Sequence, residues 1–362
     1  MMQFDRRSRV ACLATLLVLA MTPALFGSNL VNFTTVSNTD FAFFGAGGMR
    51  GAVTGNIAVT GVTGTVTTAF LYWHGPTNDP ADSNAAVTFN GTPITGTNIG
   101  NSADNCWGFT NSKAYVANVT SLVSGNGTYT LANFRKTVPV VADINGVALV
   151  VFFNDGNAAN NRDYVIFHGN DSNITNTFDS AGWSATLAGI TYTSGTVSMG
   201  MIVADGQSFS DDEFRINGTT ILPSGGANWE GNTVPDQGTA GNTSGGLWDH
   251  RTFDVTSLFT PGPNTLTIEP TTYINDCLAM VAAIFDLPGG AAPPTPTGQP
   301  PTPGGPACCL ATCRFEPFRS PDERLTRVPL ASCAWICEPP SGAQIEAPQR
   351  LGGPQDRGGP TI

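Results

Sequence analysis

Lysine is almost missing from this chain: Lys113 and Lys136 are its only two in 362 residues. Charged residues of every kind make up 12%, and apolar residues nowhere recur at helical spacing over any length. Together these absences argue against a helical cytosolic enzyme and for an exported protein rich in strands and turns. Catalytic signatures are absent too. The three histidines are too scattered for a zinc site, and no serine stands in a G-x-S-x-G elbow. Between Ser28 and Asp286, 7 basic residues face 20 acidic ones, a net charge of −13. Such a surface repels phosphate backbones, so nucleic acid is not an expected partner. Calcium or a neutral polymer such as a glycan suits it better.

Glycine is plentiful, at 42 residues, with Thr, Asn and Ser crowded around it. The middle of the chain is also written twice. Thr65–Gly75 (TVTTAFLYWHG) matches Thr196–Gly206 (TVSMGMIVADG) position for position in character, and four further blocks follow in the same order. They are VTFNGTPI with FRINGTTI, YVANVTSLV with TFDVTSLF, GNGTYTL with GPNTLTI, and GVALVVFFND with CLAMVAAIFD, at offsets of 127 to 137 residues. A period this long implies two like domains; solenoid repeats are far shorter. Asn90-Gly91 and Asn217-Gly218 mark tight hairpins, because Asn-Gly tolerates positive φ. Asn118 and Asp254, each before Val-Thr-Ser-Leu, can cap a single helical turn. The fold expected is all-β: two tandem antiparallel jelly-roll-like β-sandwiches, residues 28–169 and 170–288.

The flanks read differently. Residues 1–27 have the form of a secretory signal, with Arg6, Arg7 and Arg9 ahead of the apolar run Val10–Ala20. That run is short for a bilayer span, so the mature chain is expected to be secreted, extracellular or at the cell surface, without a membrane span. Residues 289–306 form a Pro/Thr/Gly linker. Residues 307–362 hold five cysteines and 6 of the 16 basic residues, and read either as a small disulfide-stapled module or as a tail without a fold.

The succession of an Asn-Gly hairpin, an Asn/Asp-Val-Thr turn and a Gly-rich reversal before a strand resembles the galactose-binding-like jelly roll found in carbohydrate-binding modules. The resemblance covers roughly Thr65–Asp155 and Thr196–Asp286. It implies a sandwich fold and a glycan-binding or adhesive role, and carries over no ligand residue, since what matches are turn-makers. The wording LYW…NG…DVT…ALVV also looks like that of uncharacterised bacterial secreted surface proteins. Tandem jelly rolls are in addition the architecture of a bacterial peptide-N-glycosidase class. That makes a glycan-active hydrolase using Asp104, Glu230, Asp236 or Asp249 the alternative function, and a purely structural surface protein a third.

Three sets of residues stand out as candidate sites. Trp107, Trp229 and Trp248 lie in Gly/Asn-rich sequence, where an aromatic face can stack on a sugar ring. Asp205, Asp211, Asp212 and Glu213 offer oxygen ligands suited to calcium, with Asp79 and Asp82 as a weaker set in the first copy. Cys106 and Cys277 fall in different elements of the two copies, so a disulfide between them would staple one copy to the other. His250, next to Asp249, reads as a polar edge position, because adjacent strand residues face opposite ways.

Overall fold

The computed structural model describes residues 29–290, apart from 53, 104–105, 139, 179–181, 239–245 and 272–273, together with 311–314 and 332–335. The signal-like segment, nearly all of the linker and tail, and Asp104 lie outside the described residues. The first copy supplies β1 (Val31–Ala46), β2 (Thr54–Val59), β3 (Thr65–Thr77), β4 (Ala86–Phe89), β5 (Thr92–Thr95), β6 (Thr97–Ala103), β7 (Asn111–Asn118), β8 (Gly127–Ala132) and β9 (Gly146–Asn154). The second supplies β10 (Arg162–Ser172), β11 (Trp183–Tyr192), β12 (Ser198–Ala204), β13 (Phe214–Ile216), β14 (Thr219–Leu222), β15 (Trp248–Asp254), β16 (Gly262–Thr271) and β17 (Ala279–Pro288). A short antiparallel pair, β18 (Ala311–Arg314) with β19 (Ser332–Trp335), belongs to a separate unit.

All strand pairs in the repeated body are antiparallel. The two copies share one compact unit rather than standing apart as separate domains. A single nine-stranded sheet runs β15-β12-β17-β10-β1-β9-β3-β7-β6, and each half is covered by its own four-stranded sheet, β2-β8-β4-β5 or β11-β16-β13-β14. The 16-residue β1 makes the join: Val31 to Thr39 pair with β10, and Asp40 to Ala46 pair with β9. The boundary expected at residues 169/170 falls inside β10.

Three cores follow from this layering. One lies under each four-stranded sheet, built on Ala69, Leu71 and Trp73 in the first copy and on Met199, Met201 and Val203 in the second. The third joins the opposite faces of the two halves, with Phe70, Tyr72, Val150 and Phe152 against Ile202, Trp248, Ala282 and Ile284. A strand buried on both faces needs apolar residues at every position, which is why β3 and β9 read as unbroken apolar runs.

The same property hides the true register of the repeat. Val119 N–H donates to the Ala69 carbonyl, and Val255 N–H to that of Val197. Ala69 N–H and Val197 N–H in turn donate to the hydroxyls of Thr120 and Thr256, both at 3.10-helix starts. Ala69 therefore corresponds to Val197, three residues away from the Gly200 that letter-by-letter matching assigns to it. An apolar run without alternation carries no mark of register.

Close approach across the third core depends on glycine. A Cβ on Gly146 of β9 would sit 2.4 Å from Cγ of the fully buried Trp248 on β15. The Gly146→Ala variant should lose about 1–3 kcal/mol through overpacking, lowering the melting temperature by roughly 2–4 °C per kcal/mol in a thermal unfolding scan.

Candidate functional site

One arginine is buried where the two copies meet. Arg50 follows β1 in a turn held by Met49 N–H on the Asn145 carbonyl and Gly51 N–H on the Asp143 carboxylate (3.1 Å). Its guanidinium donates to the side chain of Asn145 and lies 3.3 Å from Asp205 of the second copy. It also covers the Trp107 ring, 3.7 Å from the ring centroid. Trp107 Nε1–H donates to the same Asp205 oxygen at 2.8 Å. Asp205 is wholly buried and held at φ +74°, a left-handed conformation that Asp adopts more readily than most side chains. A buried charge is tolerable when paired and hydrogen-bonded, and here cation, carboxylate and aromatic face are set against one another.

His74 lies beside this cluster, with Nδ1 3.4 Å from the Asn145 amide nitrogen. Burial, and then the positive charge of Arg50, push its pKa down to about 3, so the imidazole is neutral at physiological pH. His250 is neutral for a related reason. Burial lowers its pKa to about 3, its Nε2 accepts the Trp248 indole N–H at 3.1 Å, and its ring stacks on Phe43. A protonated ring would lose that acceptor, so the neutral imidazole is the form this packing holds.

The Trp107 loop is fastened covalently. Cys106 and Cys277 form a disulfide spanning 171 residues of sequence, joining the first copy to the lead-in of the last strand of the second. Next to it, Asp276 accepts N–H groups from Gln207 (2.8 Å) and Cys277 (2.9 Å). Desolvation pushes its pKa up to about 8 against those two bonds, with the charges of Asp211 and Asp205 adding to the rise. The loops tied to Asp276 carry the exposed side chains Phe209 and Ile274.

The other expected site residues are placed elsewhere. Trp229 and Trp248 are buried, so neither presents a face to a sugar. Trp229 fills the second copy's core among Trp183, Phe214 and Phe253, its N–H held by Asp211. Trp248 opens β15 in the core between the halves. Their Gly/Asn-rich neighbours suggest open loops, but the hydrogen bonds of those loops turn the rings inward. The four acidic residues do not converge either. Asp205 belongs to Arg50; Asp211 accepts from Asn228 and Trp229 N–H; Asp212 accepts from Glu213 N–H; Glu213 takes Thr220 and Arg215. Among the described residues no group of three or more His, Cys, Asp or Glu is disposed to hold a metal. In the first copy Asp79 caps Ala81 N–H and Asp82 pairs with Lys113.

Sequence reasoning passed over Arg50, His74 and Asn145. Arg50 offered a signal: it is one of seven basic residues in the body and stands directly after the apolar FAFFGAGGM.

A family model described as "Protein of unknown function (DUF3344)" matches residues 60–285. No curated protein matches the chain. Among solved structures, that of PNGase F, a glycosylasparaginase from Flavobacterium meningosepticum, is 11% identical over 75% of this chain and all of that one. Its TM-score of 0.24 is too low to carry an argument. Among the described residues no helix is long and apolar enough to cross a membrane.

Two measurements probe the cluster. Replacing both Cys106 and Cys277 by Ser releases a 171-residue closure and should cost about 2–5 kcal/mol of stability in denaturant unfolding. Asp276, with its raised folded pKa, favours the folded state most at low pH and loses that contribution as pH rises through about 8. Asp276→Asn, which keeps the uncharged form, should therefore gain melting temperature relative to the parent chain between pH 5 and pH 8.

Proposed function

The chain belongs to the DUF3344 family of proteins of unknown function, and we propose that it works outside the cell as a non-catalytic binding protein that takes a neutral glycan where its two copies meet. One observation carries this reading: Trp107 is a half-buried tryptophan whose ring is fixed from three sides. Asp205 holds its indole N–H, Arg50 covers one face, and the adjacent Cys106 is tied to Cys277. An aromatic face immobilised in advance loses little entropy when a ligand stacks on it. The acidic body discourages anionic ligands.

The disulfide and the signal-like N-terminus speak for an oxidising compartment. Two of the carboxylates a hydrolase could use, Asp249 and Glu230, are engaged by their own loops. Asp249 accepts Gly231 N–H and the Thr233 hydroxyl, and Glu230 accepts the Asn232 amide. That favours binding over cleavage.

Binding should appear on an array of neutral glycans, probed with and without calcium, and Trp107→Ala should weaken it about tenfold or more. Release of free sugar from a glycopeptide by the parent chain would replace the binding reading with the hydrolase one. Silence on both assays would leave a structural role in the cell envelope.

A further inference from the structure

The two copies differ at one corner, and the difference is an open space. In the second copy the corner between the lead-in to β12 and the segment after the 3.10 turn Thr256–Leu258 is filled. Phe259 packs on Tyr192 at 5.5 Å, the Tyr192 hydroxyl donates to the Gly195 carbonyl, and Pro288 closes over Gly195. Arg162 lies across the outside, bonded to Asp286 and the Thr196 carbonyl. In the first copy the residue that follows the 3.10 turn Thr120–Leu122 is Val123, where the second has Phe259. A trough of ≈ 800 Å³ remains there, walled by Thr63, Thr65, Thr67, Asn126, Asn154 and Asp155.

We propose that this trough is a second binding site, for a neutral, polyhydroxylated chain such as an oligosaccharide. The proposal rests on the glycan reading above for its ligand class only. Thr63, Thr65 and Thr67 are exposed and all three line the trough. Gly64 packs so tightly on the Asn154 carbonyl that a Cβ there would lie 1.8 Å from it, keeping the floor free of side chains. Gly125 and Gly156 at the rim adopt positive φ, and nothing lies within 4 Å of where their Cβ atoms would be. No cation lines the trough to draw an anion. Its one carboxylate, Asp155, is held down in pKa by the Asn157 N–H and the Asn160 amide, which occupy both of its oxygens. The Asn126 amide is bonded to the Val62 backbone and Thr67 donates to the Phe152 carbonyl, so the exposed Thr63 and Thr65 hydroxyls are the groups set to meet a ligand, able to donate and accept as a sugar's own hydroxyls do.

The test is an amide NMR titration of the ¹⁵N-labelled full chain with cellohexaose, xylohexaose, maltohexaose and laminarihexaose at millimolar concentration. The proposal expects at least one of them to shift amides at Thr63 to Thr67, Ser124 to Asn126 and Asn154 to Gly156. Those shifts should persist in Trp107→Ala and weaken about tenfold in Thr65→Trp. Thr63→Trp is the second blocking variant should Thr65→Trp unfold, and both substitute exposed positions. Shifts confined to the Trp107 region would overturn the trough while sparing the junction reading. Shifts at neither region with all four sugars would sink both.

Discussion

The architecture depends on burying the second face of one sheet. A nine-stranded sheet covered on one side by two small sheets would leave Phe70, Tyr72, Phe152, Ile202 and Ile284 in water. Folding its two halves against each other removes that apolar area, and each buried large side chain contributes about 1.5–3 kcal/mol. Everything particular to the molecule follows from the contact. Gly146 is required beneath Trp248, Gly45 beneath His250, and the β1 turn meets Pro235 and Gly246 of the other copy through Gly47 and Gly48.

Where this contact reaches the loops, polar groups are carried inward with it. Arg50, Asn145, Asp205 and His74 share a buried junction in which each hydrogen bond counts for more than it would at a surface. Keeping one cation there limits the choices of its neighbours: a carboxylate opposite, a neutral imidazole alongside, an aromatic face over the top. Trp107 is thus a structural partner of both charges, under the Arg50 guanidinium and bonded to the Asp205 carboxylate.

Much of the fold was legible in the sequence because its marks are local. Asn90 and Asn217 stand at positive φ in the hairpins that Asn-Gly predicts. Asn118 and Asp254 accept the Thr120 and Thr256 N–H groups, as the Asn/Asp-Val-Thr pattern implies. The Cys106–Cys277 staple follows from the inequivalence of the two positions. What escaped was long-range. The shared sheet depends on β1 pairing with β9 in one half and β10 in the other, and no residue type encodes that choice. Trp229 and Trp248 misled because glycine-rich flanks describe the backbone around a ring, not the direction in which the ring points. Arg50 lies 155 residues from Asp205, and its importance arises only once the copies face each other.

The placement of β1 has a bearing on how the chain comes to be folded at all. The first strand to be made sits at the centre of the sheet, and its partners β9 and β10 arrive more than a hundred residues later. β10 in turn waits for β17, and Cys106 waits for Cys277. Contacts this distant in sequence make closure slow, and until it happens the early strands expose unpaired edges. A polypeptide made from its N-terminus therefore has no finished half to set aside. Its early strands await partners until nearly the whole body is present, and the disulfide then records that the lead-in to the last strand has found the first copy.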